Sequence, residues 1–310
     1  MSFKYSDVEN IFNKVSSKKN KGKNASYIPY LMNIDKSIYA ISICDVKGDI
    51  TNFGDYKIEL AIESVSKVFS LALALEKRGI PYLLDKIGNR DEKRNFNSIY
   101  DVVHIKNHTI NSFVNAGAMA TTSLLYNHAL SKEDNKKQID KDILKCMKKF
   151  AGRKLHINNN LYLSEHKDST TNRTIIDKLV SFNRFYGDPK VVLESYTKQC
   201  SVMCTSKDIA IMAATLASGG INPITKQRVI NTPNSDYIVE HMARHGLYNE
   251  SSRWWEETYF PAKSGVGGII MIVIPGIMGI GIFSPPLDKD GNSYKGVKTG
   301  KLLTNLQIYF

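Results

Sequence analysis

Glu63-Ser64-Val65-Ser66-Lys67 is the stretch on which the reading of this chain turns. It opens a run in which Val65, Val68, Leu71, Ala72 and Leu75 recur at helical spacing, with Gly79 placed where a helix would end. The period predicts an amphipathic helix, its apolar stripe turned to the core. Ser64 and Lys67, three positions apart, then share a face, with Cβ atoms about 5–6 Å apart. An amine at that distance can take a hydroxyl proton while the oxygen attacks a carbonyl carbon, the chemistry of a Ser-Lys nucleophile. Backbone N–H groups at the start of the helix would face the oxyanion that forms. Alone, Ser64 reads equally well as a helix-capping serine. Lys263-Ser264-Gly265, far along the chain, supplies a second lysine motif of the same kind and tips the reading to an enzyme. A free lysine with a pKa near 10.4 is protonated at neutral pH, so Lys67 is expected to be buried, with Lys263 close by.

Working outward, Ser37 to Cys44 is rich in β-formers, and Lys47-Gly48-Asp49 can turn it into a partner strand over 50–53. A helical pattern covers residues 6–16, and the middle from about 97 to 218 is helix-rich. Its clearest helix starts at Thr205, with Asp208 three residues on, and stops at Gly219-Gly220. Gly265 to Phe283 carries no charge over nineteen residues, long enough to span a bilayer. Six glycines and the central Pro275-Gly276 instead predict two buried strands joined by a turn. A final short helix is expected over about 296–309. Strands at both ends around a helical middle imply an α+β protein, its antiparallel sheet flanked by helices and completed by the C-terminal part. The 310 residues read as one domain, with a sheet lobe from about 26–63 and 258–310 and a mainly helical lobe over about 97–250.

Composition narrows the class. A hydrophobic fraction of 42% and a charged fraction of 23% are ordinary for a soluble globular chain. The net charge of +12 comes from scattered lysines, and no aromatics interleave with the run Lys18-Lys19-Asn20-Lys21-Gly22-Lys23, so no nucleic-acid partner is expected. Cys44, Cys146, Cys200 and Cys204 form no C-x-x-C and read as buried free thiols. With no signal-peptide h-region and no membrane span, a cytoplasmic location is expected. His104 with His108, and His241 with His245, have i, i+4 spacing but no third ligand, so neither metal nor cofactor is expected. Trp254-Trp255 is read as packing near the site's entrance.

At this point the chain resembles the serine-dependent glutaminases, which share the serine β-lactamase/transpeptidase-like fold. The resemblance runs from about residue 26 to 300 in ordered blocks. Tyr27-Ile28-Pro29 matches an early Y-I-P, and Ser64-Val65-Ser66-Lys67 the nucleophile motif. Asn111-Ser112-Phe113-Val114-Asn115-Ala116-Gly117-Ala118 is similar to N-P-x-x-N-A-G-A, and Ser164-Glu165 with Asn172-Arg173 to an S-E…N-R block. Tyr196 with Cys200-Ser201, the stretch 212–220, and Gly246-Leu247-Tyr248 follow. Pro261-Ala262-Lys263-Ser264-Gly265-Val266-Gly267-Gly268 and Ser284-Pro285-Pro286-Leu287-Asp288 are the most specific.

The resemblance implies hydrolysis of L-glutamine to glutamate and ammonia through an acyl-enzyme, by a homodimer or homotetramer. By position, Ser64 would be the nucleophile, Lys67 its base, and Tyr248, with Tyr27, the proton donors to ammonia. Backbone N–H groups of Ser64 and Val266 would form the oxyanion hole. Asn115, Glu165, Asn172 and Tyr196 would hold the amino-acid end, Glu165 pairing with the α-ammonium. Two positions depart from the family pattern. Ser112 replaces a proline, and Glu63 stands where glutamine is usual. A carboxylate there is expected to favour charged Lys67 and to repel the substrate carboxylate, lowering turnover or moving the pH optimum. Glu63 therefore keeps open a catalytically weak glutamine-binding homologue. The enzymatic rival is a β-lactamase or penicillin-binding-like hydrolase, against which stand the absent S-D-N and Lys-Ser-Gly in place of K-T-G.

Overall fold

Asp45 turns the chain on itself: its Oδ1 accepts from the backbone N–H groups of Lys47, Gly48 and Asp49, and Gly48 takes φ 107, a value costly for any residue with a Cβ. The computed structural model describes residues 5–91 and 94–306. The turn joins β1 (Ala40–Asp45) to β2 (Ile50–Gly54), and the remaining strands are β3 (Leu60–Ala61), β4 (His156–Ile157), β5 (Val202–Cys204), β6 (Ala262–Gly265), β7 (Ile269–Ile274) and β8 (Met278–Phe283). Five of them form one antiparallel sheet in the order β2-β1-β8-β7-β6, with Ile41 opposite Ile282 and Ile272 opposite Ile280. The uncharged stretch is thus a hairpin at the centre of the sheet, as its Pro-Gly break predicts. Among the described residues no helix is long and apolar enough to cross a membrane.

Alternation along β8 sets how the sheet is covered. Gly279 and Gly281 face the helix Ser206–Ala217, where an added Cβ would lie 2.1 Å from Ala214 N and 2.2 Å from Ser206 O. The helix answers with Ala210, Ala213 and Ala214. Ile280 and Ile282 point the other way, into a second core with Val8, Val15, Trp254 and Leu303. That face is closed by the helices Tyr5–Ser16 and Tyr294–Leu303. Thr205 and Asp208 make the expected reciprocal cap on the helix Ser206–Ala217. The largest core, around Phe69, Phe113 and Phe150, lies among the middle helices.

Three local expectations change. Ser64 does not lie on the α-helix: Glu63–Ser66 is a 3-10 turn, and the helix runs from Lys67 to Arg78 before Gly79, φ 79. The tighter turn keeps Ser64 and Lys67 on one side, because residues three apart eclipse in it, and Lys67 N–H donates to the Ser64 carbonyl. The helical middle also contains β4 and β5, which join β3 in a second small sheet, β3-β5-β4. The last helix starts at Tyr294 and ends at Leu303, followed by a 3-10 turn to Leu306; the rest of the expected span, 307–309, lies outside the described residues.

Candidate active site

Lys67 is fully buried, and its Nζ donates to Phe113 O at 2.9 Å, Asn115 Oδ1 at 2.8 Å and Tyr248 Oη at 3.2 Å. Each partner is placed by local chemistry. Asn111 Oδ1 accepts from the N–H groups of Phe113 and Val114, a side-chain turn that fixes the Phe113 carbonyl. Gly117 lets the following helix pass over that turn, since a Cβ there would lie 1.7 Å from Asn111 O. Ser112, where the family pattern has proline, is buried and its Oγ accepts from Thr121. Tyr248 is reached through Gly246, whose absent Cβ would collide with Ala262 O, and it takes φ 55.

Lys263 is also fully buried; its Nζ donates to Gly246 O and Ser264 O and sits 4.1 Å from the centre of the Tyr248 ring. Lys67 Nζ lies 5.3 Å from the same centre. The two motif lysines therefore meet on one aromatic ring, the proximity expected of them.

Ser64 is half-buried and opens onto a cavity of about 210 Å³ whose walls include Tyr27, Glu63, Asn115, Glu165, Asn172, Tyr196, Cys200 and Val266. Tyr248 lines an adjoining hollow that shares Phe96 and Asn97 with this cavity. Every residue singled out by position is thus at or next to one site. Asn115 links its two ends: Oδ1 accepts from Lys67 and from Tyr196 Oη, and Nδ2 donates to Asn172 Oδ1 at 3.1 Å. Arg173 donates to His166 O, tying the helix that carries Asn172 to the helix that carries Glu165. Gly265 and Gly267 bring the β6–β7 turn, with Val266 at its tip, against the backbone of residues 61–62 and the Glu63 side chain. A larger cavity of about 630 Å³, lined by Arg244, Trp255 and Pro275, lies away from the serine and lysine.

Glu63 departs from expectation. It is buried, at φ 48, and one oxygen of its carboxyl has no donor. Burial first, then the charge of Glu165 and the contact with it, hold the Glu63 carboxyl well above the usual range; the Lys67 charge, acting the other way, is the smallest influence. Burial also pushes Glu165 up to about 7. The expected free carboxylate facing Lys67 is therefore not the favoured form. Cys200 Sγ lies within 4.8 Å of both carboxyls and 3.7 Å from Ser66 Oγ, and its thiol is pushed up by burial. These three are the group of ligating side chains, among the described residues, that could converge on a cation. Tyr196 and Tyr27 phenols are likewise raised by desolvation, Tyr27 next by the charge of Glu63, although its ring is more than half open to the cavity mouth.

Other readings resolve away from the site. His241 and His245 pack edge-to-face at 4.6 Å rather than converging. Trp254 donates Nε1 to Phe260 O beneath the sheet, and neither tryptophan lines the serine cavity, so the expected place near its entrance is wrong. Phe96, Asn97 and the Phe113 carbonyl were not legible, the last because a backbone group leaves no mark in the residue alphabet.

An antiparallel sheet with helices on both faces, and a serine–lysine turn facing its late lysine strand, is the architecture of the serine β-lactamase-like hydrolases. Within that class the whole chain is specific. The profile of the Glutaminase family matches residues 22–309, and the chain belongs to this family of amidohydrolases. A glutaminase of Colwellia psychrerythraea is 40% identical over 277 residues, 89% of this chain and 87% of that protein. Among solved structures, the probable glutaminase ybaS superposes with a TM-score of 0.93 at 36% identity, covering 99% of this chain and 98% of the other. A probable glutaminase from Bacillus subtilis, complexed with 6-diazo-5-oxo-L-norleucine, gives 0.84 at 28% identity, covering 98% and 94%.

Proposed function

We propose that this chain hydrolyses the side-chain amide of L-glutamine to L-glutamate and ammonia, with Ser64 as nucleophile and Lys67 as its base. In its reactive neutral form Lys67 keeps two hydrogens for Phe113 O and Asn115 Oδ1 and a lone pair for the serine. The Ser64 oxygen thus bonds to the amide carbon as its proton passes to Lys67 Nζ, and backbone N–H groups of Ser64 and Val266 receive the oxyanion, each donor worth about 2.7–4 kcal/mol. The C–N bond then breaks as Tyr248 Oη gives its proton to the amide nitrogen, which departs as ammonia. Because Lys67 Nζ touches Tyr248 Oη, the proton taken from serine can replace the one given up. Water next attacks the acyl-serine carbon, its proton passing to Lys67 Nζ and on to Ser64 as the acyl–oxygen bond breaks, releasing glutamate. Asn115, Asn172 and Tyr196 hold the amino-acid end through amide and phenol donors, Glu165 takes the α-ammonium, and Tyr27 closes the mouth as a second donor.

One observation carries this reading: a fully buried lysine amine bonded at once to Tyr248 and to Asn115, which continues to Asn172 and Tyr196. Base, leaving-group donor and substrate holders form one connected set. The four buried, unpaired cysteines agree with a reducing, cytoplasmic setting, and assembly as a homodimer or homotetramer belongs to the same reading. Light scattering of the purified chain tests the assembly.

The deciding assay is ammonia release from L-glutamine, L-asparagine and nitrocefin turnover, run side by side. Glutamine is expected to be the preferred substrate, and Ser64→Ala to lose at least about 10³-fold in kcat. Nitrocefin hydrolysis without ammonia release would reassign the chain to the β-lactam-cleaving enzymes. Glutamine binding without turnover would make it a silent homologue.

A further inference from the structure

We infer that Glu63 and Glu165 hold one proton between them and work as a single carboxylate receptor for the substrate α-ammonium, making Glu63 a specificity-determining residue of that subsite. The inference rests on the proposed glutamine reading and goes beyond it in assigning Glu63, a residue that the resemblance leaves without a role.

The geometry leaves little choice. Carboxyl oxygens of the two residues lie within 4.8 Å, both facing the cavity that Ser64 enters. The β6–β7 turn runs alongside the Glu63 side chain: a Cβ added at Gly265 would lie 3.4 Å from its Cβ, and one at Gly267 3.3 Å from its Cγ. The left-handed backbone of Glu63, φ 48, is a strained conformation of the sort that persists where surrounding structure enforces it. Oε1 of Glu63 and Oε1 of Glu165 are both buried without a donor. Two ionised carboxylates in such contact repel strongly, so one proton belongs to the pair rather than to either residue.

The groups facing the pair do not supply a cation to balance its single negative charge. From the helix Pro189–Cys200, Tyr196 and Cys200 are held neutral by burial. Tyr27 from the loop above is a phenol whose pKa is raised further above neutrality, and Asp168 at the end of the helix Asn159–Lys167 adds a carboxyl to the same cavity. From the helix Lys67–Arg78, Lys67 acts on Glu63 only as its smallest influence, its Nζ being directed to Phe113, Asn115 and Tyr248. Tyr248, on the 3-10 turn beyond, meets Lys67 and Lys263. The α-ammonium of an amino-acid substrate is therefore the cation the pair awaits. With Glu165 pushed up to about 7 and Glu63 also held well above the usual carboxyl range, the free pair takes up its second proton on the acid side of about 7. Binding an ammonium selects the monoanion. Below about pH 7 one proton must leave to solvent for each substrate bound; no other bond changes.

The test uses the full chain carrying Ser64→Ala, titrated calorimetrically with L-glutamine at pH 5.5, 6.5 and 7.5 in buffers of different ionisation enthalpy. Kd is expected to fall about tenfold per pH unit on the acid side and to level off near 7.5, with about one proton released per glutamine at pH 5.5. Adding either Glu63→Gln or Glu165→Gln leaves one buried carboxyl with an amide donor beside it, so each should still bind L-glutamine and release about one proton at pH 5.5, whereas replacing both should weaken binding at least about tenfold at pH 7.5. Glutaramic acid, which lacks the amino group, should release none from any of these proteins. Turnover by the otherwise unaltered enzyme gives a check free of substituted proteins: KM should rise toward acid pH in step with the proton count. Tight glutamine binding with no proton released at pH 5.5, or glutamine binding abolished by Glu165→Gln while Glu63→Gln leaves it unchanged, overturns the shared-proton receptor while leaving the glutaminase reading intact. No glutamine binding and no ammonia release at any pH removes both.

Discussion

At Tyr248 the ring and the hydroxyl have separable tasks. The ring is the platform on which Lys67 and Lys263 meet, and the hydroxyl is the atom that Lys67 Nζ touches. Tyr248→Phe keeps the platform and removes the proton donor, so kcat should fall about 10²-fold or more while KM stays within about threefold, measured by initial rates of ammonia release. An unchanged kcat would move the donor's role to Tyr27. Asn115 is tested by charge rather than size. Asn115→Asp places a carboxylate where Lys67 now meets an amide oxygen, favouring the protonated amine, so kcat at pH 7 should drop at least about tenfold and recover partly as pH rises. The sequence could name Ser64, Lys67, Asn115 and Tyr248 because each sits in an ordered block of distinctive residues. It could not foresee that Glu63 meets Glu165, for the two lie far apart in sequence and come together only as walls of one folded cavity. Burial then changed the meaning of Glu63, from an expected charge to a proton carrier.

Elements position the site by approaching closer than side chains normally allow. The hairpin β7–β8 lies under the helix Ser206–Ala217 because Gly279 and Gly281 expose bare backbone to it. The buried hairpin was read correctly from the glycines and Pro275-Gly276, and the structure adds that Gly279 and Gly281 alternate with Ile280 and Ile282 to give the strand one small-residue face. What that face packs against was not visible, since a glycine row marks a close neighbour without naming it. Gly281→Ala should cost about 1–3 kcal/mol, as overpacking does, because its methyl would lie 2.2 Å from Ser206 O. Gly276→Ala is the internal comparison: no atom lies within 4 Å of its Cβ position, so only the strain of φ 73, about 1 kcal/mol, is incurred. Urea titrations of the two variants should rank Gly281→Ala as clearly the less stable. The same logic explains why Ser64 was misplaced onto an α-helix. Hydrophobic spacing from Val65 onward is equally compatible with a 3-10 start, and the tighter turn is imposed by β6 and its following turn pressing on residues 61–63.

Across the whole molecule, the acidic pair and a buried histidine give stability opposite dependences on pH. Glu63 and Glu165 hold their protons more tightly folded than unfolded, so their contribution is complete below the ordinary value of 4.5 and is lost as pH rises through about 7 for Glu165 and through the raised folded value for Glu63. His241 behaves in the reverse sense. It is buried beside His245 with no hydrogen-bond partner at either ring nitrogen, and desolvation first, then the His245, Arg244 and Lys263 charges, push it well below 6.5. Its contribution is present above 6.5 and declines as pH falls through the folded value. The protein should therefore be most stable on the mildly acid side of neutrality, losing stability toward alkaline pH through the pair and toward acid pH through the histidine. Glu63→Gln isolates the first effect, because it removes the proton that alkaline pH strips while leaving His241 untouched. Relative to wild type, the variant's melting temperature should gain about 2–4 °C between pH 5 and pH 8, roughly the shift that 1 kcal/mol gives in a chain of this size. A constant difference between the two melting curves over that range would mean that the pair carries no extra proton in the folded state, and the strain at Glu63 would then need another cause.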